Sequence, residues 1–467
     1  MYSLLFQEGD VDETVNDFIP FVGPVKVEQD AKRGRRLVAT RSIEPGECLF
    51  VIEPTVSAPV DKVYELWCTK AARGCRRTLE EVSEDMLVEE MKHLLLNGNM
   101  KSERAIYSFA LQVGLPETDD MIYNLSLRAT GNDFINTLVG KETVKPCQVY
   151  LPVDKIKEEK HLLSIIRRNA FGPDFHNYSN MEGTWNDTMD GPRPYRRVLG
   201  LYPLAAMINH GCTSNAVKVF AGETMIVHAS TMISQGSEIT WSYLPSGVTL
   251  AQRSKLIETK FGFKCNCDRC KDEKFAYDID ESLTRNLESN TLLSKLNDSK
   301  LSASSSTSAL YSISELDVLK DKIENVLSND KLSHQVRRYL RVGYLPFYIT
   351  YFNAALQETE NPTLYEQVVA VATQVHFALV SCNNGSTEHL SILHLIYDLV
   401  VTMHSTSTDQ DKTIIKVRFW TEQLKRAHMI RYGELGKSLD YVRDVMKHTK
   451  IVLRQPNGFR MVKSKFI

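Results

Sequence analysis

The sequence predicts an α+β chain, and three observations carry that reading. Residues 21–60 and again 215–243 hold short β-branched runs punctuated by Gly and Pro, as strands joined by turns do. Between them, from about 61 to 165, the spacing of apolar residues turns helical, and beyond 275 it stays helical almost to the end. A β core split by a mainly helical insert and followed by a helical half is the simplest arrangement. With 467 residues the chain is long enough for two or three domains.

Composition narrows the class. Hydrophobic residues make up 43% of the chain and charged residues 24%, ordinary for a globular protein that needs no outside staple. A formal net charge of -2 gives no overall basic field, which weighs against direct nucleic-acid binding through phosphate contacts. No run approaches the length of a membrane span, and the opening MYSLLFQEGDVDET is acidic where a signal peptide would be basic and then apolar. The expectation is a cytoplasmic or nuclear protein with no membrane partner. Nine cysteines are too sparse for a disulfide scaffold, so they are expected as thiols or metal ligands.

Along the first block, Glu44-Pro45-Gly46-Glu47 predicts a tight turn that makes a hairpin of Leu37-Val38-Ala39 and Cys48–Ile52. In the insert, Met86, Met91, Leu94 and Leu95, and later Ile106, Phe109 and Leu111, have helical spacing. Residues 215–228 predict a second hairpin turning at Ala221-Gly222-Glu223, and 237–243 (SEITWSY) a further strand. Residues 298–310 are Ser-rich and fit a linker. The segments 314–328, 334–358, 362–381, 388–404, 411–430 and 437–453 each suit one helix, and antiparallel pairing into a solenoid-like bundle is the natural reading.

Two stretches carry chemistry. In FGFKCNCDRC, Cys265, Cys267 and Cys270 form a C-x-C-x2-C arrangement, a spacing that presents sulfurs to a tetrahedral ion. A cluster of exposed reduced thiols is the alternative. In AAMINHGCTSN, an apolar run ends abruptly at Asn209-His210, and Cys212 follows where the chain can turn toward the cluster, which makes it the best fourth ligand. Four thiolates make a closed structural zinc site with no open position for water activation.

Three segments together resemble a family. Asn209 to Asn215 (NHGCTSN) resembles the NHSCxPN motif of SET-domain protein lysine methyltransferases; Gly236 to Tyr243 (GSEITWSY) resembles their GEEITxxY motif; Cys265 to Cys270 resembles their post-SET zinc segment. Arg33-Gly34-Arg35-Arg36-Leu37 and the following EPGE turn look like the opening SET strands, and Asn169-Ala170-Phe171 like the Asn-x-Phe before the core resumes. The order and spacing fit, and the SET and MYND (SMYD) subgroup, with its split SET core and helical, tetratricopeptide-like end, is the most similar. The resemblance implies a split SET-domain β-fold: an N-terminal tail at 1–20, the N-terminal SET part at 21–60, a mainly helical insert at 61–159, the SET core at 160–260, a post-SET zinc segment at 261–275, and a TPR-like helical domain at 276–467. A MYND zinc finger is not expected, because residues 61–165 hold only Cys68, Cys75 and Cys147, in a poor spacing.

The resemblance also implies an activity: S-adenosyl-L-methionine-dependent methylation of a histone or non-histone lysine, with the helical domain as a further partner surface. Asn209 and His210 would hold the cofactor, Asn169 would lie near its methionine moiety, and Arg33 and Arg35 would meet its carboxylate, although a solvated basic turn explains these two arginines equally well. Tyr243 would set its hydroxyl beside the transferring methyl. Phe261 stands where the family usually has a second tyrosine, and Phe263 matches the aromatic near the adenine and the lysine channel. Arg36 and Gly211 also depart from the family pattern, at positions that usually hold Gly and Ser, and Ser214 stands in the place of the motif's Pro. Arg36 and Phe261 motivate the alternative of a SET-fold interaction protein with little catalysis.

Overall fold

The computed structural model describes residues 21–30, 34–59, 85–93, 159–171, 198–221, 224–279, 312–356, 362–407 and 409–433. The tail at 1–20, Arg33, most of the insert, the Ser-rich 298–310 stretch and the expected helix at 437–453 lie outside these residues.

The first block folds as β1 (Phe21–Val22), β2 (Val25–Asp30), β3 (Gly34–Ala39), β4 (Cys48–Ile52) and β5 (Val56–Pro59). In β2, Val25 and Val27 are buried while the alternating Lys26 and Glu28 are half-buried, the period-two signature that faces one side of a strand to the core. The hairpin expected from Leu37–Ala39 and Cys48–Ile52 does not form. The turn is there, with Glu47 N–H on the Glu44 carbonyl at 3.1 Å and Gly46 at φ +85°. Its flanking strands, however, belong to different sheets: β3 pairs with β2, and β4 pairs with β1 and β10 (Thr224–Ala229). Gly46 N–H donates to Ala229 O and Ile43 bridges Ile233, so residues 40–47 step from one sheet to the next. Turn chemistry fixed the reversal; burial of the Phe50 and Val227 side chains fixed the partners.

The second hairpin forms as expected, β9 (Ala216–Ala221) against β10, and completes the order β1-β4-β10-β9. β6 (Ala170–Phe171) and β5 flank β7 (Val198–Leu201) in a three-stranded sheet. Of the strand expected over 237–243, only Thr240–Trp241 (β11) is extended, and its partner is β8 (Asn209–His210), in parallel. Ile239 N–H goes to Leu37 O and Gly211 N–H to Trp241 O, so this crossing ties the middle of the chain to its beginning.

Helices account for the rest: α1 (residues 85–93), α2 (Glu159–Asn169), α3 (Leu250–Phe261), α4 (Asp268–Ile279), α5 (Ile313–Leu327), α6 (His334–Gly343), α7 (Leu345–Ala355), α8 (Pro362–Asn383), α9 (Thr387–Thr406) and α10 (Gln410–Tyr432). Helix α5 opens on a capping box in which Ser312 Oγ accepts from Glu315 N–H and the Glu315 carboxylate accepts from Ser312 N–H. The single helix expected over 334–358 is two. Pro346, without an N–H, sits in the first turn of α7, and Tyr344 between the two helices leaves helical geometry. The last five pack α6 on α8, α8 on α9 and α9 on α10, around a core that includes Phe347, Tyr348, Tyr351, Phe352 and Trp420. A separate strand core holds Leu37, Phe50, Met225 and Trp241, and α10 lies against β9 and β10.

The helical core is unusual in burying imidazoles. His376 Nδ1 lies 3.0 Å from His389 Nε2, and His394 Nε2 lies 3.2 Å from His428 Nε2. Burial pushes His376 down to about 4 and His428 to about 3, and holds His389 and His394 well below the ordinary histidine range; His228, in β10, is pushed down to about 4 by the same cause. These side chains are neutral when folded, so the stability they carry is complete above the unfolded value of 6.5 and drains away as the pH falls toward 4. His228 and His376 should each cost about 2 kcal/mol at pH 5. Thermal melts followed by circular dichroism at pH 7.5 and pH 5 should therefore show a clearly lower midpoint in acid, and His376→Gln should reduce the difference.

Candidate functional site

The site grows out of one buried turn. Ala205–Met207 form a single 3-10 turn, with Ala206 N–H on Tyr202 O and Ile208 N–H on Ala205 O, and Ala205, Met207 and Ile208 are buried in the strand core. The chain then extends through Asn209 and His210, where it must satisfy polar groups that water does not reach. Asn209 Nδ2 donates to Arg35 O at 3.1 Å and to Glu238 Oε1 at 2.9 Å. Asn215 completes the lock: its Nδ2 donates to Glu238 O at 2.9 Å, and its Oδ1 accepts from Thr240 N–H at 2.8 Å.

His210 is held from both ring nitrogens. Its Nδ1 accepts from Tyr243 N–H at 3.0 Å, which leaves the proton of a neutral ring on Nε2, 3.2 Å from Cys212 Sγ. Tyr243 sends its hydroxyl to Ile208 O at 2.9 Å. Its ring centroid is 5.2 Å from that of His210 and 4.9 Å from Phe261, and His210 lies 6.2 Å from Phe263. Helix α3 ends at Phe261 because Gly262 takes φ +75°, and this left-handed cap turns the chain so that Phe261 and Phe263 reach the same row of rings. Phe263 is 38% exposed, so the row runs from solvent inward to buried His210.

Beside this row stand the four thiols. The sulfurs of Cys212, Cys265, Cys267 and Cys270 all lie within 4.8 Å of one another, with Cys212 Sγ at 3.5 Å from Cys270 and 3.8 Å from Cys265. Hydrogen bonding from Cys212 pulls the Cys265 thiol far down and Cys267 to about 6, and the same bond to Cys265 drives Cys212 far up. Four sulfurs packed this closely suit a shared metal cation better than four thiols. All four sequence-predicted ligands meet, and they do so next to His210.

Asn169 ends α2 with its side chain buried; Nδ2 donates to Ile165 O at 2.9 Å, and Oδ1 has no hydrogen-bond partner among the described residues. Two residues on, the Phe171 ring packs edge-on to Trp241, 5.3 Å away, which ties Asn169 to the strand before Tyr243. Arg35 gives its carbonyl to Asn209, and Arg36 turns to the other side of β3, where Glu28 (3.2 Å) and Asp30 (3.4 Å) pair with it. The residues that sequence reasoning missed are the partners: Glu238, the Ile208 carbonyl, and a buried pair of arginines. Arg253 and Arg269 share Glu273 at 2.7 Å each, all three nearly inaccessible. A charged residue between cysteine ligands, Arg269, was the available signal.

With this geometry in place, the family model of the SET domain matches residues 34–244. The chain carries a SET domain. Histone-lysine N-methyltransferase ASHR1 of Arabidopsis thaliana is 40% identical over 84 residues, 18% of this chain and 18% of that protein. Histone-lysine N-methyltransferase SMYD3 of Homo sapiens is 32% identical over 98 residues, 19% of this chain and 23% of that protein. The chain therefore spans less than a quarter of the length of these two relatives. The solved SET domain of LSMT bound to lysine and AdoHcy aligns over 92% of this chain and 87% of that one, with 12% identity and a TM-score of 0.27. Within the SET domain, Asn209, His210 and Tyr243 are the residues that crossing strands β8 and β11 bring together.

Gly211 makes that crossing tight. A Cβ there would stand 2.9 Å from Thr240 Oγ1 and 3.0 Å from Thr213 O, so the serine of the family motif does not fit unaltered. Gly211→Ser should destabilise the fold by about 1–3 kcal/mol, read as a lower urea midpoint, while Ser214→Ala should cost less.

Proposed function

We propose that the chain is an S-adenosyl-L-methionine-dependent protein-lysine N-methyltransferase. The observation that carries it is Tyr243, whose hydroxyl is oriented by the Ile208 carbonyl and whose backbone is oriented by His210, between His210 and Phe261 in an aromatic row that reaches solvent. The names of the relatives, both histone-lysine N-methyltransferases, point the same way.

When bound, the cofactor supplies a methyl group on a positive sulfonium. The chain's own task is alignment and dryness. Because Tyr243 Oη donates its proton to Ile208 O, its lone pairs remain to accept from a substrate amine N–H, which turns the amine's own lone pair away from the phenol. Phe261 and Phe263 wall the path with apolar surface, and their rings and that of Tyr243 favour a cationic group by their negative faces. The unpartnered Asn169 Oδ1 is an acceptor suited to an ammonium, which fits the methionine end of the cofactor. Asn209 and His210 would contribute backbone groups, since their side chains are engaged within the protein. Arg35, with Arg33, is suited to the cofactor carboxylate. Arg36 is drawn off by Glu28 and Asp30, so its size is no obstacle to this reading.

In the same reading Cys212, Cys265, Cys267 and Cys270 hold a structural Zn2+ as the post-SET segment, and the helical domain, TPR-like in its antiparallel pairs, offers a surface to protein partners. The donor set is all sulfur and leaves no place for a reacting water, so the ion's role is to join Cys212 to the segment beyond α3.

Labelled cofactor incubated with histones and a peptide panel should give methylated lysine, and Tyr243→Phe should cut the rate by roughly a hundredfold or more while calorimetry still detects cofactor binding. Binding without turnover on any substrate would favour the interaction-protein alternative that Phe261 suggests. Elemental analysis should find about one zinc per chain, and Cys212→Ser should lower both the zinc content and the melting temperature.

A further inference from the structure

We propose that Arg253, Glu273 and Arg269 form a charge clamp through which the loaded four-cysteine site holds the helical half against the SET domain. The inference rests on the structural-zinc reading and goes past it. Arg253 and Arg269 are each 1% exposed and Glu273 is 2% exposed. Two guanidiniums on one carboxylate leave a net positive charge in a dry interior, which is strongly unfavourable unless something balances it.

What faces that charge is one cysteine sulfur and a set of carbonyl oxygens that includes a ligand's own. Arg253 Nη2 lies 3.9 Å from Cys270 Sγ, and Arg269 Nη1 donates to the carbonyl of Cys212 at 3.4 Å. Four thiolates on a divalent cation carry two net negative charges, so clamp and metal site each supply what the other lacks. The clamp also reaches out of the SET domain. Arg269 Nη2 donates to Tyr339 O on α6 at 3.3 Å, and two residues past Cys212, Ser214 N–H donates to Cys382 O near the end of α8 at 2.7 Å. Asn383 extends the seam, with Nδ2 on Ser246 Oγ at 2.7 Å. One arginine thus touches the metal-ligand turn, the carboxylate and the helical half at once. By contrast, the contact of α10 with β9 and β10 uses none of the clamp's three residues.

The full-length chain, zinc-loaded, is treated with a zinc chelator and followed by hydrogen exchange. Faster exchange confined to α6 and the end of α8, with α10 unchanged, is the expected result. In competition titrations Arg269→Met should bind zinc about 10–100-fold more weakly than the parent chain, and Arg269→Lys, which keeps the charge, should recover part of the loss. Unchanged exchange in α6 after zinc removal overturns the clamp, as does simultaneous loss of protection in α6 and α10, which would mean general unfolding. Unaltered zinc affinity in a folded Arg269→Met also overturns it. Should that variant fail to fold, the chelation experiment on the parent chain decides alone. A parent chain that binds no zinc overturns the clamp together with the metal assignment, whereas bound zinc without coupling overturns the clamp only.

Discussion

Everything at the site depends on a turn that has no water to fall back on. Asn209 to Asn215 is buried or half-buried throughout, and the side chains of Asn209, His210 and Asn215 find partners that are mostly far away in sequence. Arg35 and Glu238 answer Asn209; Thr240 and the Glu238 carbonyl answer Asn215; Tyr243 and Cys212 answer the two nitrogens of His210. An unmatched buried donor or acceptor costs about 1–3 kcal/mol, so this set of partners is what selects the crossing of β8 and β11 from other pairings. The crossing in turn puts Tyr243 where its hydroxyl meets Ile208, one residue before the motif begins.

Buried ionisable groups are handled in two ways. Around the cysteines, charge is kept and balanced: Arg253 stays cationic although burial works against it, because Glu273 and the thiols outweigh the desolvation. In the two histidine pairs of the helical core, charge is given up: His376 packs on His389 and His394 on His428 in neutral form. The first solution makes a junction that is sensitive to what neutralises it. The second makes a core that is firm at neutral pH and vulnerable in acid.

How much of this was legible in the sequence follows from the range over which each signal acts. Cys265, Cys267 and Cys270 could be read because six residues contain their whole pattern, and Cys212 because an apolar run ends beside it. The β9–β10 hairpin was legible for the same reason, since its partners are neighbours. The hairpin across Gly46 was misread because a turn specifies a reversal and says nothing of which strand lies alongside; β3 and β4 found partners according to buried faces. The break at Tyr344 had its signal in Pro346, which the strong apolar period on either side concealed. Glu238 and Glu273 were invisible because an acidic residue in a strand or helix is usually solvated, and only the fold brings Asn209 or two arginines to it.

The departures from the family pattern look different once their surroundings are known. Gly211 replaces a serine at a point where Thr240 and the Thr213 carbonyl leave no room for a Cβ, so the loss of a hydroxyl allows a closer crossing. Arg36 replaces a glycine and brings Glu28 and Asp30 on the facing strand as its counter-ions, on the side of β3 away from Leu37 and the core. Each substitution comes with its own local compensation. Phe261 differs: its ring keeps the 4.9 Å contact with Tyr243, but among the described residues no hydrogen bond or ring contact brings another hydroxyl to its place. The aromatic wall therefore persists with Tyr243 as its hydroxyl-bearing ring. In the proposed methyltransferase, orientation of the substrate amine would fall to Tyr243 and to the Ile208 carbonyl that fixes it.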